Sequence, residues 1–286
     1  MFKIKKFGTG GGEFFLLTSG GEGALFDTGF SFPSDKIVPE IKEALNGATL
    51  KYIVLSHSHY DHAGGSPYYK RAFPDAKILA SPTAKHIFTK EGALRVIKEM
   101  NDNAAALFGV TEYEDLTPNL SVDETVTEGD TFTVGRLTFK VIETPGHTRC
   151  SLSFFSEEAS LLVAAETIGV WGNDSLVVPC PLVSYEDTIS SIEKCERLNP
   201  RNILFPHTDL ITGEDARNFF KNSLMWHRKT KEMLKKEQEL GSSTEEMVNL
   251  LRKYFYTKEM AARQPEKAFA LNAGYIIKCM LTEKDY

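Results

Sequence analysis

Leu55-Ser56-His57-Ser58-His59-Tyr60-Asp61-His62 is the stretch on which the fold turns. Three imidazoles and a carboxylate follow a short apolar run, residues 52–55, that reads as a buried strand. A loop leaving a strand can turn such side chains toward one point. Neutral imidazole together with carboxylate suits zinc, iron or manganese. The ordinary alternative is four adjacent polar side chains that are merely solvated, and clusters of this density rarely lack a site.

Outward from this run the first half alternates strand-like and helix-like patches. Residues 14–18 and 23–26 are apolar runs broken by Ser-Gly-Gly, a hairpin pattern, and Asp27-Thr28-Gly29 ends the second run. Ile37, Val38, Ile41 and Leu45 predict an amphipathic helix from Ser34 to about Gly47. A helix is expected over 68–73 and a strand over 78–80. Residues 83–118 interrupt the alternation as a mostly helical insertion, with Leu94, Ile97, Asn101, Ala104 and Phe108 on one face. Strands are expected at 131–134, 137–142, 152–155, 161–164 and 202–205, a loop at 167–182 and a helix at 185–198.

Two further histidines fall just past predicted strand ends. His147 sits in Pro145-Gly146-His147-Thr148 and His207 in Phe205-Pro206-His207-Thr208. Ligands at the carboxyl ends of strands share one edge of a sheet core, where α/β proteins place their sites. Either histidine alone is more often an ordinary loop residue. Alongside the 57–62 cluster, both read as ligands.

Asp27-Thr28-Gly29, His57-x-His59-x-Asp61-His62, Pro145-Gly146-His147-Thr148 and Pro206-His207 resemble, in order and spacing, the metallo-β-lactamase superfamily over residues 1–212. The resemblance implies an α/β fold, a four-layer αββα sandwich, with residues 213–286 as a C-terminal helical extension. It implies two divalent metal ions, zinc first, with iron and manganese as alternatives. His57, His59 and His147 would hold one, and Asp61, His62 and His207 the other, with Asp27 bracing the ligand loop. The family usually supplies a bridging aspartate after the next strand. Here Leu162-Val163-Ala164-Ala165-Glu166-Thr167 offers Glu166, and the nearest following aspartate is Asp174. The extra methylene moves the carboxylate by roughly 1.5 Å. Glu166 can bridge, bind one metal only, or turn away as an acid or base; bridging is the favoured expectation.

The chemistry implied is hydrolysis. Two metals sharing a water lower its pKa toward neutrality, so hydroxide exists at working pH, and Asp61 is the candidate catalytic residue that orients it or shuttles its proton. A small ester, thioester, lactone or phosphodiester fits, with a thioesterase or lactonase preferred to a ribonuclease. Two readings from other classes stay open: a regulatory or binding module on a weakened metal site, and a di-iron redox protein. The latter usually carries His-x-Glu where this chain has His57-x-His59.

Bulk composition narrows the partners. The chain has 286 residues, 42% hydrophobic and 25% charged, with net charge -6, so it lacks the basic field that nucleic-acid binding usually requires. Cys150, Cys180, Cys195 and Cys279 are scattered, which argues against a disulfide framework or thiol-rich zinc site. No apolar run approaches a membrane span or a signal h-region, so a cytoplasmic protein acting on a small-molecule substrate is expected. Arg149 reads first as a solvated arginine, with contact to an anionic substrate as the alternative, Cys150 as a small buried residue near the site, and His86 and His227, on predicted helices without partners, as structural. Tyr60 is divided between packing and substrate contact, and Trp171, Asn173 and Tyr185 are candidates for a pocket wall. From 213 the pattern is helical: Phe219, Trp226, Met233 and Leu240 recur every seven residues, Ser243-x-x-Glu246 is a capping box, and a third helix follows Pro265. These helices are read first as packing, with a roof over the site or a homodimer contact as alternatives.

Overall fold

The computed structural model describes residues 2–8, 10–173 and 175–282. They divide into two compact units: Met1–Glu143 with Leu152–Ala159, and Thr144–Ser151 with Ser160–Tyr286. This division differs from a boundary at residue 212.

The first unit opens with an antiparallel meander of β1 (Phe2–Phe7), β2 (Phe14–Ser19) and β3 (Glu22–Phe26). Helix α1 (Ser34–Leu45) then returns the chain to β4 (Thr49–Val54), parallel to β3. Its buried Ile37, Ile41 and Leu45 form the apolar stripe, and Asn46 ends it at φ 45°, a left-handed value that asparagine tolerates. After the short helices α2 (Tyr60–Ala63) and α3 (Ser66–Ala72) comes β5 (Lys77–Ala80), parallel to β4. The expected insertion is α4 (Pro82–Ile87) and α5 (Glu91–Leu107), followed by the edge strand β6 (Glu124–Thr125). On α5, Ile97, Asn101 and Ala104 are buried as the periodicity predicts. Asn101 is there for its amide, which accepts the Ser31 backbone N–H at 2.9 Å.

A second antiparallel meander completes this unit: β7 (Thr131–Val134), β8 (Leu137–Glu143) and β9 (Leu152–Ser156). Phe132, Phe139 and Phe154 meet Phe26 of β3 with ring centroids 6.3, 5.1 and 5.7 Å apart. Burying a phenylalanine contributes roughly 1.5–3 kcal/mol, so this aromatic layer holds the two sheets face to face.

In the second unit β10 (Leu161–Val163) runs parallel to β13 (Asn202–Leu204), which pairs antiparallel with β14 (Leu210–Thr212). Between β10 and β13 lie β11 (Val170–Asn173), β12 (Leu176–Val178) and helix α6 (Tyr185–Glu196), capped by the Ser184 side chain. The segment expected to be a loop at 167–182 therefore contains a hairpin. Glycine and asparagine at its tip mask the alternation around it.

Helices α7 (Gly213–Glu239), α8 (Thr244–Phe255), α9 (Lys258–Arg263) and α10 (Glu266–Thr282) finish the chain. The capping box at Ser243 and Glu246 forms as expected. The buried stripe of α7 is not the seven-residue one. Ala216, Phe219, Phe220, Ser223, His227, Thr230 and Leu234 face inward, while Leu240 is 69% exposed. A strict heptad drifts by about 20° per repeat around a straight helix, so Trp226 and Met233 lie at the margin of the buried face, partly buried, and Leu240 falls outside it.

Candidate metal centre

Four of the expected donors lie in the first unit. His57 and His59 lie on the loop that leaves β4, which bends at Ser56 and Ser58. His59 is the N-cap of α2, so the following helical turn carries Asp61 and His62. Ring centroids of His57 and His59 are 4.6 Å apart, those of His57 and His62 4.0 Å, and Asp61 Oδ2 lies 3.9 Å from His62 Nε2. The unit thus brings these four together.

Asp27 fixes how two of these rings face. At φ 59° it occupies the left-handed region, uncommon for any residue but glycine and tolerated best by residues such as aspartate. Its Oδ1 accepts the Ser56 backbone N–H at 2.7 Å, and its Oδ2 accepts both the Ser56 hydroxyl and His62 Nδ1 at 2.9 Å. Since the Ser56 proton goes to the carboxylate, Ser56 Oγ accepts from His57 Nδ1, also at 2.9 Å. Both imidazoles therefore carry hydrogen on Nδ1 and a lone pair on Nε2, as ligation through Nε2 requires. Thr28 adds a second tie, donating from its N–H and its hydroxyl to the His62 carbonyl at 2.8 and 2.6 Å.

The second unit holds the remaining three donors. His147 Nδ1 donates to the Cys180 carbonyl at 2.9 Å, again leaving the lone pair on Nε2. Its loop hugs the start of α6: the Gly146 carbonyl accepts from the N–H groups of Val183 and Ser184. Gly146 has φ 135°, and a Cβ there would stand 2.2 Å from Thr188 Oγ1, so only glycine fits. His207 follows β13 with φ 62°, in the left-handed region like Asp27.

Glu166, on a 3-10 turn after β10, reaches both histidines. Oε2 lies 2.8 Å from His147 Nε2 and Oε1 3.0 Å from His207 Nε2. Burial opposes its ionisation, but the charges and hydrogen bonds of His147 and His207 outweigh burial and hold the carboxyl well below the usual range. A carboxylate this close to the lone-pair nitrogen of His147 is stable only with positive charge there, from a ring proton or a cation. The donor set fits a divalent metal. Burial and the Glu166 charge push the nearby Cys180 thiol well up, which disfavours its thiolate.

Tyr60 stacks on Phe30, with centroids 5.7 Å apart, within a cluster that includes Phe32, Phe108 and Tyr113, so packing is its visible role. Arg149 is exposed and Cys150 buried, in line with ordinary roles. His86 is exposed, but His227 is fully buried and donates to the Ser223 carbonyl at 2.8 Å, so it does have a partner. Tyr185 is buried beneath the Lys231 ammonium, 4.2 Å from its ring centre, and Trp171 is half-buried. Asp174 and the Asn173 side chain lie outside the described residues. Sequence reasoning missed Ser56, whose hydroxyl relays between Asp27 and His57, and the Cys180 carbonyl, a backbone group with no residue-type signal.

Imidazole and carboxylate donors gathered where strands end define a metal-binding protein of the α/β class. The chain belongs to the metallo-beta-lactamase superfamily, whose family model matches residues 8–207. It is 27% identical over 225 residues to a metallo-beta-lactamase fold-containing protein of Sulfurisphaera tokodaii, covering 77% of this chain and 80% of that one. A hydroxyacylglutathione hydrolase of Bradyrhizobium sp. is 31% identical over 123 residues, 43% of this chain and 36% of that one. Apart from the Sulfurisphaera protein, the first curated relatives are matched over less than two thirds of their own length. Among solved structures, a metallo-beta-lactamase family protein from Thermus thermophilus superposes with TM-score 0.64 at 20% identity, covering 97% of this chain and 92% of that one. The fold is accordingly the α/β sandwich of that superfamily, continued by the helices from α7 onward. Among the described residues no helix is long and apolar enough to cross a membrane.

Proposed function

We propose that the chain is a metal-dependent hydrolase in which His57, His59 and His147 hold one divalent ion, Asp61, His62 and His207 hold a second, and Glu166 bridges them. The observation that carries this reading is the common orientation of three imidazoles. His57, His62 and His147 each donate through Nδ1, to Ser56, Asp27 and Cys180, and so present Nε2 as the ligand atom. Glu166 supports bridging by placing one oxygen on each of two histidines. Zinc is the ion we assign, since imidazole and carboxylate are its usual nitrogen and oxygen donors.

Such ions supply Lewis acidity and lower the pKa of a water toward neutrality. The chain's own residues do the rest. Asp61, on the first turn of α2 with a side chain 20% exposed, orients the attacking water and takes its proton. Asp27 keeps His62 in the ligating tautomer throughout. Our first substrate class is a small carbonyl compound, a thioester or lactone, ahead of a phosphodiester. The hydroxyacylglutathione hydrolase relative, named for an acyl-glutathione, supports that order.

The test is elemental analysis of the purified protein, followed by a panel of ester, thioester, lactone and phosphodiester substrates with and without chelator. His59→Ala and His207→Ala are expected to lose metal and hydrolysis together. Full metal content in both variants overturns the ligand assignment.

A further inference from the structure

The residues after Glu166 are each tied to something different. His147 donates its backbone N–H to Thr167 Oγ1 at 3.3 Å. The Ile168 carbonyl accepts the Ser223 hydroxyl of α7 at 2.6 Å. Gly169 closes the turn by donating its N–H to the Glu166 carbonyl at 2.9 Å. It has φ 97°, and a Cβ on it would lie 2.5 Å from Val177 Cγ1, 3.3 Å from His227 Cε1 and 3.4 Å from Ser223 Oγ. Ser223 and His227 stand one helical turn apart, both fully buried, with His227 Nδ1 bonded back to the Ser223 carbonyl. Burial pushes the His227 imidazole down to about 4, so near neutral pH the ring packs there uncharged.

We infer that helix α7 sets the position of the Glu166 carboxylate, with Ser223 and His227 as positioning residues that act through the turn at 166–169. The inference rests on the proposal that Glu166 bridges two metal ions. A glutamate has one more rotatable bond than the aspartate usual at this place, so its oxygens are located less by the side chain and more by the backbone beneath. That backbone is pinned on one side by the Ser223 hydrogen bond and on the other by the His227 ring against Gly169. Contacts of 2.8 and 3.0 Å to two different histidines leave little room for the turn to drift. The helical extension is thereby part of the site's construction, not an appendage.

The experiment is titration of the metal-free protein with Co²⁺, following stoichiometry, affinity and the visible ligand-field spectrum. Wild type should take two equivalents. Ser223→Ala should weaken at least one equivalent about tenfold, the lower end for loss of an outer hydrogen bond, and change its spectrum. Ser223→Thr, which keeps the hydroxyl, should restore both. In a Glu166→Gln background Ser223→Ala should add nothing, because the serine acts only through that carboxylate. Wild-type affinities and spectrum in folded Ser223→Ala, or full additivity with Glu166→Gln, overturn the inference. Where Ser223→Ala does not fold, Ser223→Cys keeps the volume while weakening the bond and is held to the same criteria. Failure of the wild type to bind cobalt at all would instead count against the metal site itself.

Discussion

Asp27 stands in a backbone conformation that costs an L-residue roughly 1–2 kcal/mol, and its carboxylate holds His62 directly and His57 through the Ser56 hydroxyl. The cost is offset by what the left-handed turn achieves: both oxygens point back at the loop leaving β4. Asp27→Asn separates charge and shape from proton placement. The amide nitrogen would face His62 Nδ1 as a donor, driving the ring to the tautomer with hydrogen on Nε2, where it cannot ligate. Metal affinity is expected to fall roughly 10–100-fold while the fold survives, read by competitive zinc titration alongside thermal unfolding. A folded Asp27→Asn protein with wild-type affinity would remove the relay from the account. At this scale much was legible. The spacing of His57, His59, Asp61 and His62 is itself a geometric statement, a bent loop leaving a strand followed by one helical turn. Ser56 was not legible, because a serine before a histidine has no distinguishing chemistry until Asp27 is seen beneath it.

At the scale of elements, legibility followed periodicity. The hairpin at 14–26 and helices α1 and α6 announce themselves by alternation or by a 3.6-residue stripe. The β11–β12 hairpin did not, being two short strands whose first breaks register at Gly172. Helix α7 was recognised but its inner face misassigned, because Ser223, His227 and Thr230 are polar residues buried where a hydrophobic pattern looks for leucines. The burial of His227 has a measurable consequence. An unfolded imidazole titrates near 6.5 and the native one near 4. As pH falls from 6.5 toward 4 the unfolded chain gains a proton that the native ring refuses, so stability declines with acidification and this contribution levels off below 4. The slope approaches about 1.4 kcal/mol per pH unit, on the order of 3 kcal/mol in total. Urea unfolding of the metal-free protein at pH 7 and 4.5 measures it against His227→Gln, which should show a shallower decline. Equal declines in the two proteins would contradict the buried neutral histidine.

For the whole molecule, the question is whether the helices after residue 212 can be removed. In the second unit Phe219 of α7 packs at a tilt against Phe205 beside β13 with centroids 4.6 Å apart, and Phe220 and Leu234 are buried as well. Each such side chain is worth roughly 1.5–3 kcal/mol, against a net stability of about 5–15 kcal/mol for a typical domain. A chain ending at residue 212 is therefore expected to be insoluble, or soluble without a cooperative thermal transition. A soluble 1–212 protein that unfolds sharply and binds two metal equivalents would show the helices to be dispensable. Family resemblance placed a boundary at 212 because the recognisable motifs end there; compactness groups these helices with β10, β13 and β14 because the Phe205 side of the unit is covered by them.

Neither compact unit is a continuous stretch of polypeptide: the chain departs at Glu143, comes back at Leu152 for β9, and departs again at Ser160. A ribosome that has delivered the first 143 residues has thus not delivered a finished first unit, since the strand that closes its second meander is still inside the exit tunnel. No single cut or crossover in the gene can exchange one unit for a homologue's. Recombination that preserves both must carry residues 144–159 intact, together with the partners each piece pairs with.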